Sequence, residues 1–312
     1  MATDYASAKV AAARTTPWIG VEGHRALTDK VMTAEEAIKL ADLDWDVELR
    51  KVYTLNGAGN RVLIPGNFAV TRETDDQVFG VVKSRYTVFQ NRDAFAFADS
   101  LVDSGEAKYE AVGSLKGGRQ IFLTMKLPDG ILVGGEDRHD LYVMLRTSHD
   151  GSKAVTVNLT PIRLACTNMM TIATRAAEGT DRWSMPHVST MQGRIAEARE
   201  TLSLTFAYAE EFAKIGEQLM SIKLTDDQAV DALQNVLPHR PKTDEKIDDI
   251  MECLRGSNSN GYHGTGWGLL NALTEYHEHW RDNIQPEATF FNTVDGEIRR
   301  WRNQLTNVLL AA

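Results

Sequence analysis

Cysteine is scarce: two residues, Cys166 and Cys253, in 312. They lie far apart in apolar or helical contexts, which excludes a disulfide-stapled scaffold and reads as two reduced, buried thiols. Long apolar runs are missing as well. Nothing approaches the roughly 20 residues needed to cross a bilayer, and Met1–Ala13 holds no continuous apolar stretch of the kind a secretory signal carries. The expected location is therefore the cytoplasm. Positive charge is in deficit: 34 Lys and Arg face 43 Asp and Glu, a net charge of −9. Such a chain does not coat nucleic acid over its whole surface. A local basic groove stays open, because binding follows local potential and not the sum.

Chemical signatures are equally sparse. No G-x-S-x-G or G-x-C-x-G pattern surrounds Cys166, and an apolar setting raises a thiol's pKa where a nucleophile needs it lowered. Phosphate-loop endings are absent near both Gly113–Gly118 and Gly261–Gly268. The second of these opens a helix, whose N–H groups could hold an anion, although glycine punctuation at a lid or a helix-packing loop explains it equally. On the predicted helix carrying Glu275, His277 and His279, the two histidines point about 200° apart and cannot share a metal. His149 and Asp150 are adjacent on a hairpin, so they also point apart. The expectation is no enzyme, no catalytic residues, no metal and no cofactor.

What is present is pattern. Leu141–Ser148 and Lys153–Thr160 are β-rich runs flanking His149-Asp150-Gly151-Ser152, and Asp-Gly is a strong hairpin signal. Tyr109–Leu127 forms another hairpin across Lys116-Gly117-Gly118-Arg119. Trp45–Leu55 alternates as a half-buried strand, returning as Arg61–Ile64 after a turn at Asn56–Asn60. Phe68–Thr74 and Val78–Lys83 read as a further hairpin across Asp75-Asp76. Thr33-Ala-Glu-Glu36 is a capping box. Asn91 reads as the cap of a helix through Asp103, with Phe95, Ala98, Leu101 and Val102 on its buried face.

Beyond Ser189 the texture becomes helical: Met191–Ser221, helices opening at Thr225 and Thr243, Leu269–Arg281 and Glu297–Leu310. The fold class is α+β, a curved antiparallel sheet backed by helices, with a mainly helical C-terminal half. The expected division is a β-rich region 1–180 and a helical region 189–312, with the boundary near Glu178–Val188.

Several motifs stand in a characteristic order: Pro17-Trp18, Ala41-Asp-Leu-Asp-Trp45, Tyr86-x-Val-Phe-Gln-Asn91 with Ala94-Phe95, Gly113-x-Leu-x-x-Gly-Arg119, His149-Asp-Gly-Ser152, Pro161-x-Arg-x-x-Cys-x-Asn168, and Gly264-Thr-x-Trp-Gly-Leu-x-Asn-Ala-x-Thr-Glu-Tyr276. Together they resemble the phage/plasmid-like family of uncharacterised proteins. That resemblance supplies no catalytic residues. In element order alone, helix 91–103, strands 107–116, 119–127, 141–148 and 153–160, then helix 164–177 is similar to the core of Rad52-like single-strand annealing proteins. That likeness implies a basic groove along one DNA strand and subunits assembled into rings or filaments.

A groove for single-stranded DNA needs spaced cations at phosphates and aromatic faces for bases. Arg119, Lys126, Arg146, Lys153, Arg163 and Arg175 could supply the first and Tyr142 or Tyr109 the second. Solvent-facing charges on ordinary alternating strands would look the same. The expected function is a phage- or plasmid-derived nucleic-acid-binding protein, in the sharpest form a single-strand annealing homo-oligomer. The alternative is a non-enzymatic module that binds a host or phage protein, which the acidic surface suits.

Overall fold

Tyr109–Ser148 holds runs of β-branched and aromatic residues between turn residues, and these runs build the centre of the larger sheet. The computed structural model describes residues 10–12, 33–102, 108–163, 182–187, 205–256, 261–280 and 296–311. Two antiparallel sheets are present among them. The larger contains β1 (Val10–Ala12), β5 (Lys108–Leu115), β6 (Gln120–Lys126), β7 (Ile131–Val133), β8 (Asp137–Ser148), β9 (Val155–Arg163) and β10 (Arg182–Met185). Its order is β1-β5-β6-β8-β9-β10, with β7 also paired to β8. The smaller sheet is β2 (Val47–Leu55), β3 (Arg61–Arg72) and β4 (Val78–Lys83), in that order.

The expected hairpins form, and backbone conformation explains their turns. Lys116, Gly117 and Gly118 all take positive φ between β5 and β6. Between β8 and β9, Asp150 accepts the Ser152 N–H at 2.9 Å while Gly151 sits at φ +73. Asp150 is thus a turn residue and not a partner of its neighbour. Two strands escaped the sequence reading, since three or four residues are too few to display alternation. β7 lengthens β8 back to Asp137 across the positive-φ pair Gly134-Gly135. β10 falls inside the expected boundary 178–188 and pairs with Val155–Asn158. The strands expected at 61–64 and 68–74 merge into one. Register jumps there, from Lys51↔Phe68 to Tyr53↔Leu63, so Ile64–Asn67 bulge outward. Pro65 lacks a ladder donor and Gly66 takes φ +69, which is what a bulge accepts.

Helix α1 (Ala34–Leu40) carries the expected capping box on Thr33 and Glu36. Helix α2 (Asn91–Val102) departs from expectation: Asn91 does not cap. Its amide instead donates to the carbonyls of Leu43 and Trp45, while Asp93 accepts the Gln90 N–H. The C-terminal half supplies α3 (Thr205–Ser221), α4 (Asp226–Val236), α5 (Thr243–Arg255), α6 (Gly266–Glu275, passing into a π-helical turn at Tyr276–Trp280) and α7 (Glu297–Ala311). Thr225 caps α4 through a second capping box with Gln228.

One face of the large sheet (Ile121, Leu123, Met125, Leu141, Val143, Leu145, Val155, Val157, Leu159) shares a single core with α1, α2 and the C-terminal helices. On α7, Ile298, Trp301, Leu305 and Leu309 are buried, with α4 and α6 as neighbours. The link between the halves has a polar anchor. Trp267 on α6 donates its indole N–H to the buried Asp137 carboxylate at 2.9 Å, and His139 sets its ring edge-on to both Trp267 and Phe212. The helix expected at 164–177, Cys166 and Arg175 lie outside the described residues.

Candidate functional site

Alternation along β6, β8 and β9 places a second set of side chains on the other face of the large sheet: Phe122, Thr124, Lys126, Tyr142, Met144, Arg146, Thr156, Asn158 and Thr160. Apart from Lys126 they are buried, Arg146 at 4% exposure and Tyr142 at 4%. Cross-strand register sets Lys126 opposite Tyr142 and Arg146 between Phe122 and Thr156. Lys126 forms an ion pair with Asp140 at one end of this face. Both amide atoms of Asn158 and the Thr160 hydroxyl are buried with no hydrogen-bond partner among the described residues, an arrangement that costs free energy unless something polar joins them.

The turn end of the same sheet is different in kind. His149 donates its backbone N–H to the Arg119 carbonyl at 2.8 Å, and Ser148 exchanges two hydrogen bonds with the backbone of Lys153. Arg119 and Lys153 are therefore brought together, and both are exposed. The small sheet docks here. Trp45 and Phe79 lie 5.2 and 5.8 Å from the His149 ring, Tyr86 donates its hydroxyl to the Ser148 carbonyl, and Gly80 sits against the Asp150 backbone. Tyr86 also stacks on His187 at 4.8 Å. This docking carries the exposed Lys83 and Arg85 to the same end. Acids stand near this end as well: Asp150, the ion-paired Asp75 and Asp76, and Asp42, Asp44 and the ion-paired Asp46 on either side of Trp45. Burial drives His149 down to about 3 and also lowers His187, so both rings are neutral packing groups here.

Of the sequence-predicted residues, then, the structure gathers Lys126, Tyr142 and Arg146 on one face and Arg119 and Lys153 at one end. Arg163 pairs with His139 in the ladder, its side chain lying outside the described residues, as does Arg175 entirely. In the described part of the glycine-rich loop before α6, two N–H groups that could meet an anion are already engaged. Gly266 N–H bonds the Ile222 carbonyl, Gly268 N–H bonds the Thr265 hydroxyl, and Gly266, Trp267 and Gly268 are all buried. His263 stands apart, half exposed beside Asp226. Among the described residues, no group of three or more His, Cys, Asp or Glu could hold a metal. Sequence reasoning passed over Lys51 and Arg61 on the β2–β3 hairpin. The signal was available: from Leu49 to Arg72 the chain has four cations and no carboxylate.

These features define a mixed α+β protein of two antiparallel sheets, and no helix among its described residues is long and apolar enough to cross a membrane. The chain belongs to the DUF932 family, a domain of unknown function, whose sequence profile matches residues 78–306. No curated protein and no solved structure matches it.

Proposed function

We propose that this is a non-enzymatic nucleic-acid-binding protein of phage or plasmid derivation that holds a single DNA strand as an oligomer, in the manner of annealing proteins. The observation that carries the reading is the exposed cationic end made by Arg119, Lys153, Lys83 and Arg85 in a chain of net charge −9. Concentrated positive potential against an acidic background directs a polyanion to one place. Arg146 and Tyr142 enter only as supports of the sheet, because buried side chains offer no phosphate or base a contact.

Titration of labelled single- and double-stranded DNA at two salt concentrations tests the reading. Single-strand-preferring, salt-sensitive binding that the double charge reversal R119E/K153E weakens is the expected result. Absence of binding at low salt overturns it.

A second reading, a module that docks on a host or phage protein, is favoured by a different feature. Val78 and Val81 on β4 are half exposed, leaving apolar surface on the small sheet. Pull-down with the wild-type chain and with V78S/V81S separates it: a partner captured only by the wild type supports this reading against the first.

A further inference from the structure

β4 pairs only with Asn67–Thr71 of β3. Beyond it, Tyr53–Leu55 and Arg61–Leu63 continue as a ribbon of two strands closed by the turn at Asn56–Asn60. Its side chains meet water: Tyr53 is 49% exposed, Leu55 67%, Val62 43% and Leu63 44%. A two-stranded hairpin is marginal in water by itself, and one that displays apolar groups is an association hazard. Such a ribbon is expected where something covers it.

Its charge indicates the chemistry of that occupant. Residues 49–72 contain Arg50, Lys51, Arg61 and Arg72 and no carboxylate, within a chain of net charge −9. Arg50 and Arg72 are engaged at the base, Arg50 with Glu48 and Asp76 and Arg72 with Asp75. Lys51 and Arg61 are exposed and form no ion pair with any described residue. Register puts Tyr53 opposite Leu63 and Leu55 opposite Arg61, so these four share one face of the ribbon. A guanidinium beside an exposed phenol ring and methyl groups matches a polyanion with stackable bases. The ribbon's base also adjoins the cationic end described above, since Phe79 and Val82 of the small sheet contact Gly118 and Gly151.

We infer that the β2–β3 ribbon is a nucleic-acid-binding arm in which Lys51 and Arg61 take phosphates and Tyr53 stacks on an exposed base. The inference rests on the nucleic-acid reading and adds a site that reading does not require.

The test uses the full chain, a labelled oligothymidine strand and anisotropy across a salt series. For K51E/R61E the slope of log affinity against log salt becomes shallower by about 1.4, two single-strand contacts at roughly 0.7 each. Y53A weakens binding about tenfold with the slope unchanged, as loss of one stacked base predicts. Circular dichroism spectra matching wild type confirm folding, since all three side chains face solvent. If both variants bind as wild type does while R119E/K153E loses affinity, the arm is overturned and the nucleic-acid reading stands. If wild type fails to bind at low salt, both fall. If K51E/R61E lowers the solution mass by light scattering without changing affinity, the ribbon's occupant is a second copy of this chain, which also overturns the inference.

Discussion

Asn91 and His149, 58 residues apart, fix each other's hydrogen-bonding roles. The Asn91 amide donates to the Leu43 and Trp45 carbonyls, so its oxygen is the atom that meets His149 Nε2 at 2.9 Å. Nε2 must therefore carry the proton. Nδ1 is left unprotonated and buried beside Trp45 and Phe79, with no hydrogen-bond partner among the described residues.

This arrangement makes stability depend on pH. The folded pKa of His149, about 3, lies below the ordinary value of 6.5, because burial disfavours the charged ring. Below pH 6.5 the unfolded chain takes up a proton that the folded chain refuses. Stability is therefore fully present above pH 6.5 and falls as the medium is acidified toward pH 3, with a slope approaching about 1.4 kcal/mol per pH unit for one such group. His187, lowered also by burial, steepens the fall. Urea unfolding at pH 7, 6 and 5 measures the slope. His149→Gln, which keeps a donor toward Asn91 but cannot titrate, should flatten it; an unaltered slope would show that His149 is not its source.

Two glycines give a sharp contrast. A Cβ on Gly268 would stand 2.1 Å from the Tyr262 carbonyl oxygen and 2.7 Å from its carbon, both backbone atoms. Gly268→Ala must push the loop off the start of α6, where Thr265 caps and Trp267 reaches Asp137. The expected loss exceeds about 3 kcal/mol, near the limit of what a marginally stable domain tolerates. Gly57 in the β2–β3 turn meets nothing within 4 Å. Gly57→Ala should be neutral or stabilise by up to about 1 kcal/mol through the unfolded state. Thermal melts of the two variants beside wild type decide the matter.

The difference between those glycines is invisible in the sequence, and it shows where legibility ended. Features with local causes were readable: the capping box at Thr33, the helix start at Thr225, and the hairpins at Lys116–Arg119 and Asp150-Gly151. Each depends on residues a few positions apart. Asn91 was misread as a cap because its partners, Leu43, Trp45 and His149, come from two distant segments. The candidate site suffered most. Alternation sets Lys126 and Arg146 each on the polar face of its strand, but periodicity does not report whether a polar face is buried. Arg119 and Lys153 become neighbours only when β8 closes both hairpins. The carboxylate-free stretch 49–72 was legible as composition, yet its meaning depended on β4 ending short of the hairpin's tip.

Cys253 should be inert while the protein is folded. Burial, together with the carboxylates of Glu275, Asp249 and Glu252, pushes its thiol up to about 12, so thiolate is scarce at neutral pH. In a Cys166→Ser background, a thiol-reactive dye should label the native chain at a negligible rate and react stoichiometrically in urea. Rapid labelling under native conditions would mean that α5 opens locally far more often than its burial implies.

Arg302 offers the most stringent test of the helical half. Its side chain is fully buried on α7, with Nη1 3.9 Å from a Glu278 oxygen on the π-helical turn, and Trp301 beside it packs on His277 at 4.7 Å. Burial draws the guanidinium down to about 10, still cationic at neutral pH. Two charges held this deep attract each other strongly, yet each has given up its hydration, so the pair is worth less than either charge costs when stranded. Arg302→Ala leaves Glu278 without that partner and opens a cavity, for an expected loss of about 3–5 kcal/mol. Replacing both ends with apolar groups of similar volume, R302M/E278L, should recover most of that loss, because neither charge then remains buried. Urea unfolding of the wild type, the single variant and the double variant completes the comparison. A double variant no more stable than R302A would locate the principal partners of Arg302 elsewhere than on Glu278.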